Sequence, residues 1–149
     1  MEKRRLGRTD LEVSRIGFGG MTIPDVSQKQ AVATVHKALD LGINFVDTAR
    51  IYGDSEAKIG KVMKTRRDEC YLSSRSPEWD YEGMKANIDE SLRTLGVDYI
   101  DLYEPHDVST TARYQAVMAE GGIDALYEAK AAGKIRFIGV TGHNWGMMQ

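Results

Sequence analysis

Three times along this chain a helical pattern stops at a glycine and a strand-like run follows within a few residues. Gly42 leads into Ile43-Asn44-Phe45-Val46-Asp47, Gly96 into Tyr99-Ile100-Asp101-Leu102-Tyr103, and Gly133 into Ile135-Arg136-Phe137-Ile138-Gly139-Val140. A glycine takes the left-handed turn that ends a helix at no steric cost. Ahead of these glycines, apolar residues recur at helical spacing: Val32, Val35, Ala38 and Leu39 in one stretch, Met84, Ile88, Leu92 and Leu95 in another. Residues 123–132 read as a third such helix. Strands alternating with helices call for a parallel sheet with helices packed on it.

The remaining elements fit the same rhythm. Residues 3–14 hold two short extended pieces around Gly7-Arg8-Thr9-Asp10, a hairpin signal. Arg15-Ile16-Gly17-Phe18-Gly19-Gly20 reads as a first strand entering a glycine-rich loop. Ser27 and Gln30 are spaced as a capping box for the helix after it. Ser55 is expected to cap the helix carrying Ile59, Val62 and Met63, and Asp80 the long helix that Gly96 ends. Cys70-Tyr71-Leu72-Ser73-Ser74 is a third strand, residues 110–122 read as a loop with a short helical turn, and residues 141–149 as a closing loop.

Composition narrows the class. The 149 residues are 42% hydrophobic and 28% charged, ordinary for one globular domain covering 1–149. A net charge of -2 with no basic block gives nucleic acid and anionic membranes no electrostatic footprint. No apolar run spans a bilayer, and no signal-peptide core follows Met1-Glu2-Lys3-Arg4-Arg5. Cys70 is the one cysteine, which rules out an internal disulfide and a cysteine-built metal cluster and fits a reducing, cytoplasmic setting. His36, His106 and His143 lack metal-ligand spacing, and no Gly-x-Ser-x-Gly elbow is present, so no metal site is expected and a hydrolase has no sequence support.

Two architectures share the strand–helix rhythm: an open doubly wound sheet and a closed eight-unit barrel. The open nucleotide-binding fold wants Gly-x-Gly-x-x-Gly opening a helix. Here Gly17-Phe18-Gly19-Gly20-Met21-Thr22 has threonine in the sixth place, and Pro24 follows. The dinucleotide fingerprint is therefore rejected.

Reactive side chains gather at strand ends. Asp47 closes the second strand, Tyr52 lies five residues on, Arg75 follows the third strand, and His106 follows the fourth. In barrel enzymes the carboxyl ends of the strands carry the chemistry. A phenol titrates near about pH 10, so Tyr52 needs help to act as an acid. Arg75 is expected to lower its pKa as a nearby cation, with Asp47 holding the arginine by an ion pair. His106 can hydrogen-bond a substrate oxygen or share the proton work. Such a set suits proton donation to a carbonyl oxygen while hydride arrives at its carbon. Taken singly, each residue also has a packing or surface reading; the shared rim is what joins them.

These residues resemble the aldo-keto reductase family. The matching stretches are Ile16-Gly17-Phe18-Gly19-Gly20-Met21, Gly42-Ile43-Asn44-Phe45-Val46-Asp47-Thr48-Ala49 and Tyr52-Gly53-Asp54-Ser55-Glu56. They continue through residues 90–103 and end with Gly133-Lys134-Ile135-Arg136-Phe137-Ile138-Gly139-Val140. The resemblance implies an eight-unit barrel that reduces small aldehydes and ketones with NADP(H). The family's catalytic Asp, Tyr, Lys and His fall on Asp47, Tyr52, Arg75 and His106, so arginine replaces lysine. Arg keeps the charge but not the shape. Gly20, Met21 and Asp47 stand where the family approaches the nicotinamide riboside, and Thr141 and Gly142 where it commonly holds the carboxamide. The hairpin resembles the family's cap over the amino-terminal mouth, and Trp79 is a candidate wall of the substrate space.

A barrel of this type takes about 250 residues. The expected fold is therefore α/β, a partial (β/α)8 TIM-type barrel of hairpin plus roughly five strands. That portion carries the proton-transfer half and not the loops that grip the cofactor's phosphates in the family. The alternative to a reductase is a noncatalytic half-barrel serving as a folding or assembly unit. Open strand edges are templates for association, so a homodimer or larger assembly is expected.

Overall fold

The computed structural model describes residues 1–144 and Gly146. A two-stranded antiparallel hairpin, β1 (Lys3–Arg5) and β2 (Glu12–Ser14), precedes a five-stranded parallel sheet. The sheet strands are β3 (Phe18–Gly19), β4 (Phe45–Asp47), β5 (Tyr71–Ser76), β6 (Ile100–Pro105) and β7 (Ile135–Ile138), adjacent in chain order. Helices α1 (Gln28–Asp40), α2 (Ser55–Arg66), α3 (Tyr81–Leu95), α4 (Thr111–Ala119) and α5 (Gly122–Ala131) connect them. This is the expected partial barrel of TIM type: consecutive parallel strands with helices on the outside.

The core lies between helices and sheet. Val46, Leu72, Ile100, Tyr103 and Ile135 pack against Val35, Ile59, Val62, Met84, Ile88 and Leu126, all essentially removed from water. Burying each such aliphatic side chain stabilises the fold by roughly 1.5–3 kcal/mol before chain entropy is counted. The other face of the sheet is polar where register brings strand ends together. Asp47 sits beside Ser73, and Arg75 beside Glu104.

Helix ends follow the local chemistry with one exception. The Ser27–Gln30 capping box is present, Asp80 accepts the Gly83 N–H, and Gly42, Gly96 and Gly133 all take positive φ. Ser55, expected as a cap, is instead the first helical residue, and Asp54 precedes it without a side-chain cap bond. The Ser55 hydroxyl is spent elsewhere: it donates to the Gly20 carbonyl at 2.8 Å and meets the Thr48 hydroxyl at 2.8 Å, tying the loop after β3 to α2.

Most strands are shifted or shortened at their ends relative to the sequence reading, and three differences bear on the site and the helices around it. Strand β5 runs to Ser76, so Arg75 lies inside the strand rather than after it. Strand β6 includes Pro105, which gives up a donor but keeps an acceptor for the Thr141 N–H at 3.4 Å. Residues 111–119 form a helix capped by the Thr110 hydroxyl; with Val117 its one fully buried residue, it carries almost no apolar periodicity to read. The expected closing loop 141–149 extends over Trp145 and 147–149, which lie outside the described residues.

The hairpin covers the amino-terminal end of the sheet. Asn44, at the entry to β4, accepts from the Ser14 N–H at 2.6 Å and donates to the Glu12 carbonyl at 3.0 Å. Arg136 of β7 reaches Asp10 in the hairpin turn at 3.2 Å. The opposite, carboxyl end is left open.

Candidate active site

At that open end β4 delivers Asp47, the loop after it Tyr52, β5 Arg75, and the residue after β6 His106. Because the strands are parallel, all of their carboxyl ends face one side, and the four side chains share it. Asp47 and Arg75 form an ion pair through Arg75 Nη2. Tyr52 and His106 meet edge to face, ring centroids 6.0 Å apart. The four residues singled out from sequence therefore occupy one rim.

The structure adds a residue the sequence reading missed. Glu104, on β6, lies in register with Arg75 and sends Oε2 to within 3.6 Å of Arg75 Nη2. It also accepts a 3.4 Å hydrogen bond from the Ser73 hydroxyl and is only 7% exposed. Period-two alternation was the signal: Glu104 precedes His106 by two residues and so shares its side of the strand.

Electrostatics correct one expectation. Tyr52 titrates above its ordinary value, first because of burial and second because of the Glu104 carboxylate. The arginine does not bring it down, because its guanidinium is engaged by two carboxylates. Burial lowers the Arg75 pKa and raises that of Glu104, each opposed by the charge of the other. Burial first, and Arg75 second, push His106 below the usual histidine range. At neutral pH the phenol therefore carries its proton and the imidazole is neutral.

The loop after β3 frames the other side of the mouth. It is a short 3-10 helix, Gly20–Asp25. Gly20 packs inward: a Cβ there would stand 2.7 Å from both the Asp47 carbonyl and Ser55 Oγ, so only glycine fits. Met21 is 64% exposed, and a Cβ on Gly19 would meet nothing within 4 Å, so space is open beside them. The Lys58 ammonium, buried in α2, anchors the loop by donating to the carbonyls of Ile23, Pro24 and Val26 at 3.0, 3.1 and 2.8 Å.

Across the mouth, the Thr141 hydroxyl donates to the Pro105 carbonyl at 3.3 Å and accepts the Asp107 N–H at 3.2 Å, while its carbonyl accepts the Val108 N–H at 2.6 Å. Asp107 has φ 56°, a left-handed conformation uncommon outside glycine, and fixes the turn directly after His106. Gly142 follows Thr141, half-buried. Trp79 is half-buried too, with Arg113 stacked 5.3 Å over its ring.

Comparison with known proteins bears on the family and the fold. The chain is 40% identical over 157 residues to L-galactose dehydrogenase of Arabidopsis thaliana, a match covering 95% of this chain and 49% of that protein. It is 33% identical over 155 residues to the uncharacterized oxidoreductase YqkF of Bacillus subtilis, again 95% and 49%. Among solved structures, aldo-keto reductase AKR11C1 from Bacillus halodurans superposes with a TM-score of 0.86 at 33% identity, covering 95% of this chain and 50% of that one. An aldo/keto reductase from Klebsiella pneumoniae, in complex with NADP and acetate, superposes with a TM-score of 0.79 at 28% identity, covering 93% and 49%. The chain thus spans about half the length of the curated relatives it matches. The model of the aldo/keto reductase family matches residues 15–149, the same span that supplies the parallel strands and their polar rim, and the chain belongs to that family.

Proposed function

We propose that the chain carries the proton-donating site of an NADP(H)-dependent carbonyl reductase. The supporting observation is the shared rim of a protonated Tyr52, a neutral His106 and the Asp47–Arg75 pair. The Tyr52 phenol donates its proton to the oxygen of a small aldehyde or ketone. Neutral His106 offers a ring N–H to the same oxygen and fixes its direction. Asp47 and Arg75 hold each other at the base of the site, and Trp79 bounds the substrate space.

The residues fit the nicotinamide end of the cofactor. Supporting this, open space lies beside Gly19 and exposed Met21 at the end of β3, Asp47 ends β4, and Thr141 and Gly142 follow β7, so all stand toward the carboxyl ends of the parallel strands. Met21, Asp47, Thr141 and Gly142 would contact the group there, with Gly20 holding the loop from behind. NADPH, when bound, supplies hydride to the carbonyl carbon. A fluorescence titration with NADPH tests the reading. Saturable binding that weakens in Met21→Ala or Thr141→Ala supports it; no binding up to millimolar cofactor removes it.

A second reading, an assembly unit, has its own observation. Strands β3 and β7 are the sheet's edges among the described residues, and Tyr114, Met118 and Val140 are exposed near β7. Backbone groups on an open edge pair readily with another chain. A second copy meeting at these edges predicts a homodimer or larger species in light scattering. A stable monomer at micromolar concentration removes it.

A further inference from the structure

Arg75 has one carboxylate partner in the reading above, but the fold gives it two. Asp47 from β4 and Glu104 from β6 meet the same nitrogen, Nη2, from either side of β5. We propose that Glu104 is a positioning residue of this site. It holds the Arg75 guanidinium in a two-carboxylate clamp on the barrel wall, so that two carboxylates share one cation at the rim that carries Tyr52. The proposal rests on the reductase reading for its catalytic meaning.

The seat for Glu104 is built from three neighbouring segments. Ser73 of β5 donates to Oε2 from one side at 3.4 Å. On the other side, past the end of β7, Gly139 leaves room where a Cβ would stand 2.7 Å from Oε1. A buried carboxylate costs several kcal/mol unless it is paired and hydrogen-bonded, and here both conditions are met at once. The charged and titratable groups around it are Arg75 from β5, Asp47 from β4 through the shared guanidinium, Tyr52 from the loop after β4, and His106 two residues on. Arg8 of the hairpin and Tyr127 and Lys130 of α5 border the same open space.

The clamp settles what Arg75 can do. A guanidinium facing two carboxylates has its charge offset before it reaches the phenol, and the excess negative charge disfavours phenolate. Burial and Glu104 accordingly hold Tyr52 above the ordinary tyrosine value. The result is a phenol that keeps its proton until a substrate oxygen takes it.

The test is an NMR titration of the chain labelled with 13C at tyrosine Cζ, the Tyr52 signal being identified by its loss in Tyr52→Phe. In Glu104→Gln the Tyr52 midpoint is expected to fall toward the ordinary tyrosine value. Glu104→Met, which replaces a buried charge by an apolar side chain of similar length, should shift it in the same direction and stands in if Glu104→Gln does not fold. Glu104→Asp keeps the charge and should retain most of the parent midpoint. An unchanged or raised midpoint in either uncharged variant overturns the proposal, even if that variant loses stability. The titration needs neither cofactor nor turnover, so its failure leaves the reductase reading standing, and a failure to bind NADPH leaves this one standing.

Discussion

The imidazole of His106 meets the phenol ring of Tyr52 edge-on, their planes at 85° and their centroids 6.0 Å apart. One residue follows β4 and the other follows β6, so the pair spans the strand between them, the one that carries Arg75. A parallel sheet makes this possible, since each strand ends on the same side. Burial is the first cause by which both groups titrate away from their ordinary values.

The pH dependence of stability should carry the mark of His106. Burial and Arg75 disfavour its imidazolium, so in the folded chain it titrates below about 6.5, the ordinary histidine value. Below that value the unfolded chain binds the proton first. The stability contributed by the neutral seat is complete above it and is lost as pH falls through it toward the folded midpoint. Urea midpoints of the parent and His106→Asn, compared at about pH 7.5 and about pH 5.5, should show a larger acid loss in the parent. Equal losses contradict the assignment.

Lys58 is expected to hold the loop after β3 in place. Its ammonium serves three carbonyls and pairs with Asp54 at 2.8 Å. Lys58→Met keeps the stem and removes the donors, for an expected loss of about 2 kcal/mol in urea denaturation. Amide exchange should quicken in residues 20–26. A loss below about 0.5 kcal/mol would show that water replaces the ammonium without cost.

Gly60 reverses a familiar sign. Glycine inside an exposed helix normally costs about 1 kcal/mol relative to alanine. In α2, however, a Cβ on Gly60 would lie 2.7 Å from the Leu95 carbonyl and 2.8 Å from that of Thr94, at the end of α3. Gly60→Ala should therefore destabilise by roughly 1–3 kcal/mol, the usual cost of overpacking. A more stable variant would show that α2 and α3 can move apart freely.

Cys70 should be inert in the folded chain. It is buried beside Met63, and burial pushes its thiol up to about 11. Since the thiolate is the reactive species, a thiol-disulfide reagent at neutral pH should react slowly with the native chain and fully in denaturant. Fast stoichiometric reaction without denaturant contradicts this burial.

The helix stops at Gly42, Gly96 and Gly133 were legible because their cause is local: each takes a positive φ that few other residues tolerate. The common rim of Asp47, Tyr52, Arg75 and His106 was legible because parallel strands align their ends. Period-two alternation sets Glu104 on the side of His106, but its pairing with Arg75 depends on a register fixed by packing across two strands, which no local pattern gives. The helix at 111–119 was missed because its amphipathic signal is faint. Ser55 was misread as a cap because its hydroxyl bonds a carbonyl 35 residues away in sequence, which no local pattern foretells. Arg75 was expected to lower the phenol's pKa; instead burial and the Glu104 carboxylate raise it, and Arg75 pairs with that carboxylate across the β5–β6 ladder.

The central claim is that Tyr52 donates the proton when a carbonyl is reduced at this rim. Its most direct test is NADPH-dependent turnover of one small aldehyde by the chain and by Tyr52→Phe, with cofactor binding measured in the same samples. The account predicts equal binding and a fall in kcat of about 100-fold or more in the phenylalanine variant, the ordinary contribution of a general acid. Turnover that survives in Tyr52→Phe, with the cofactor bound, would contradict it.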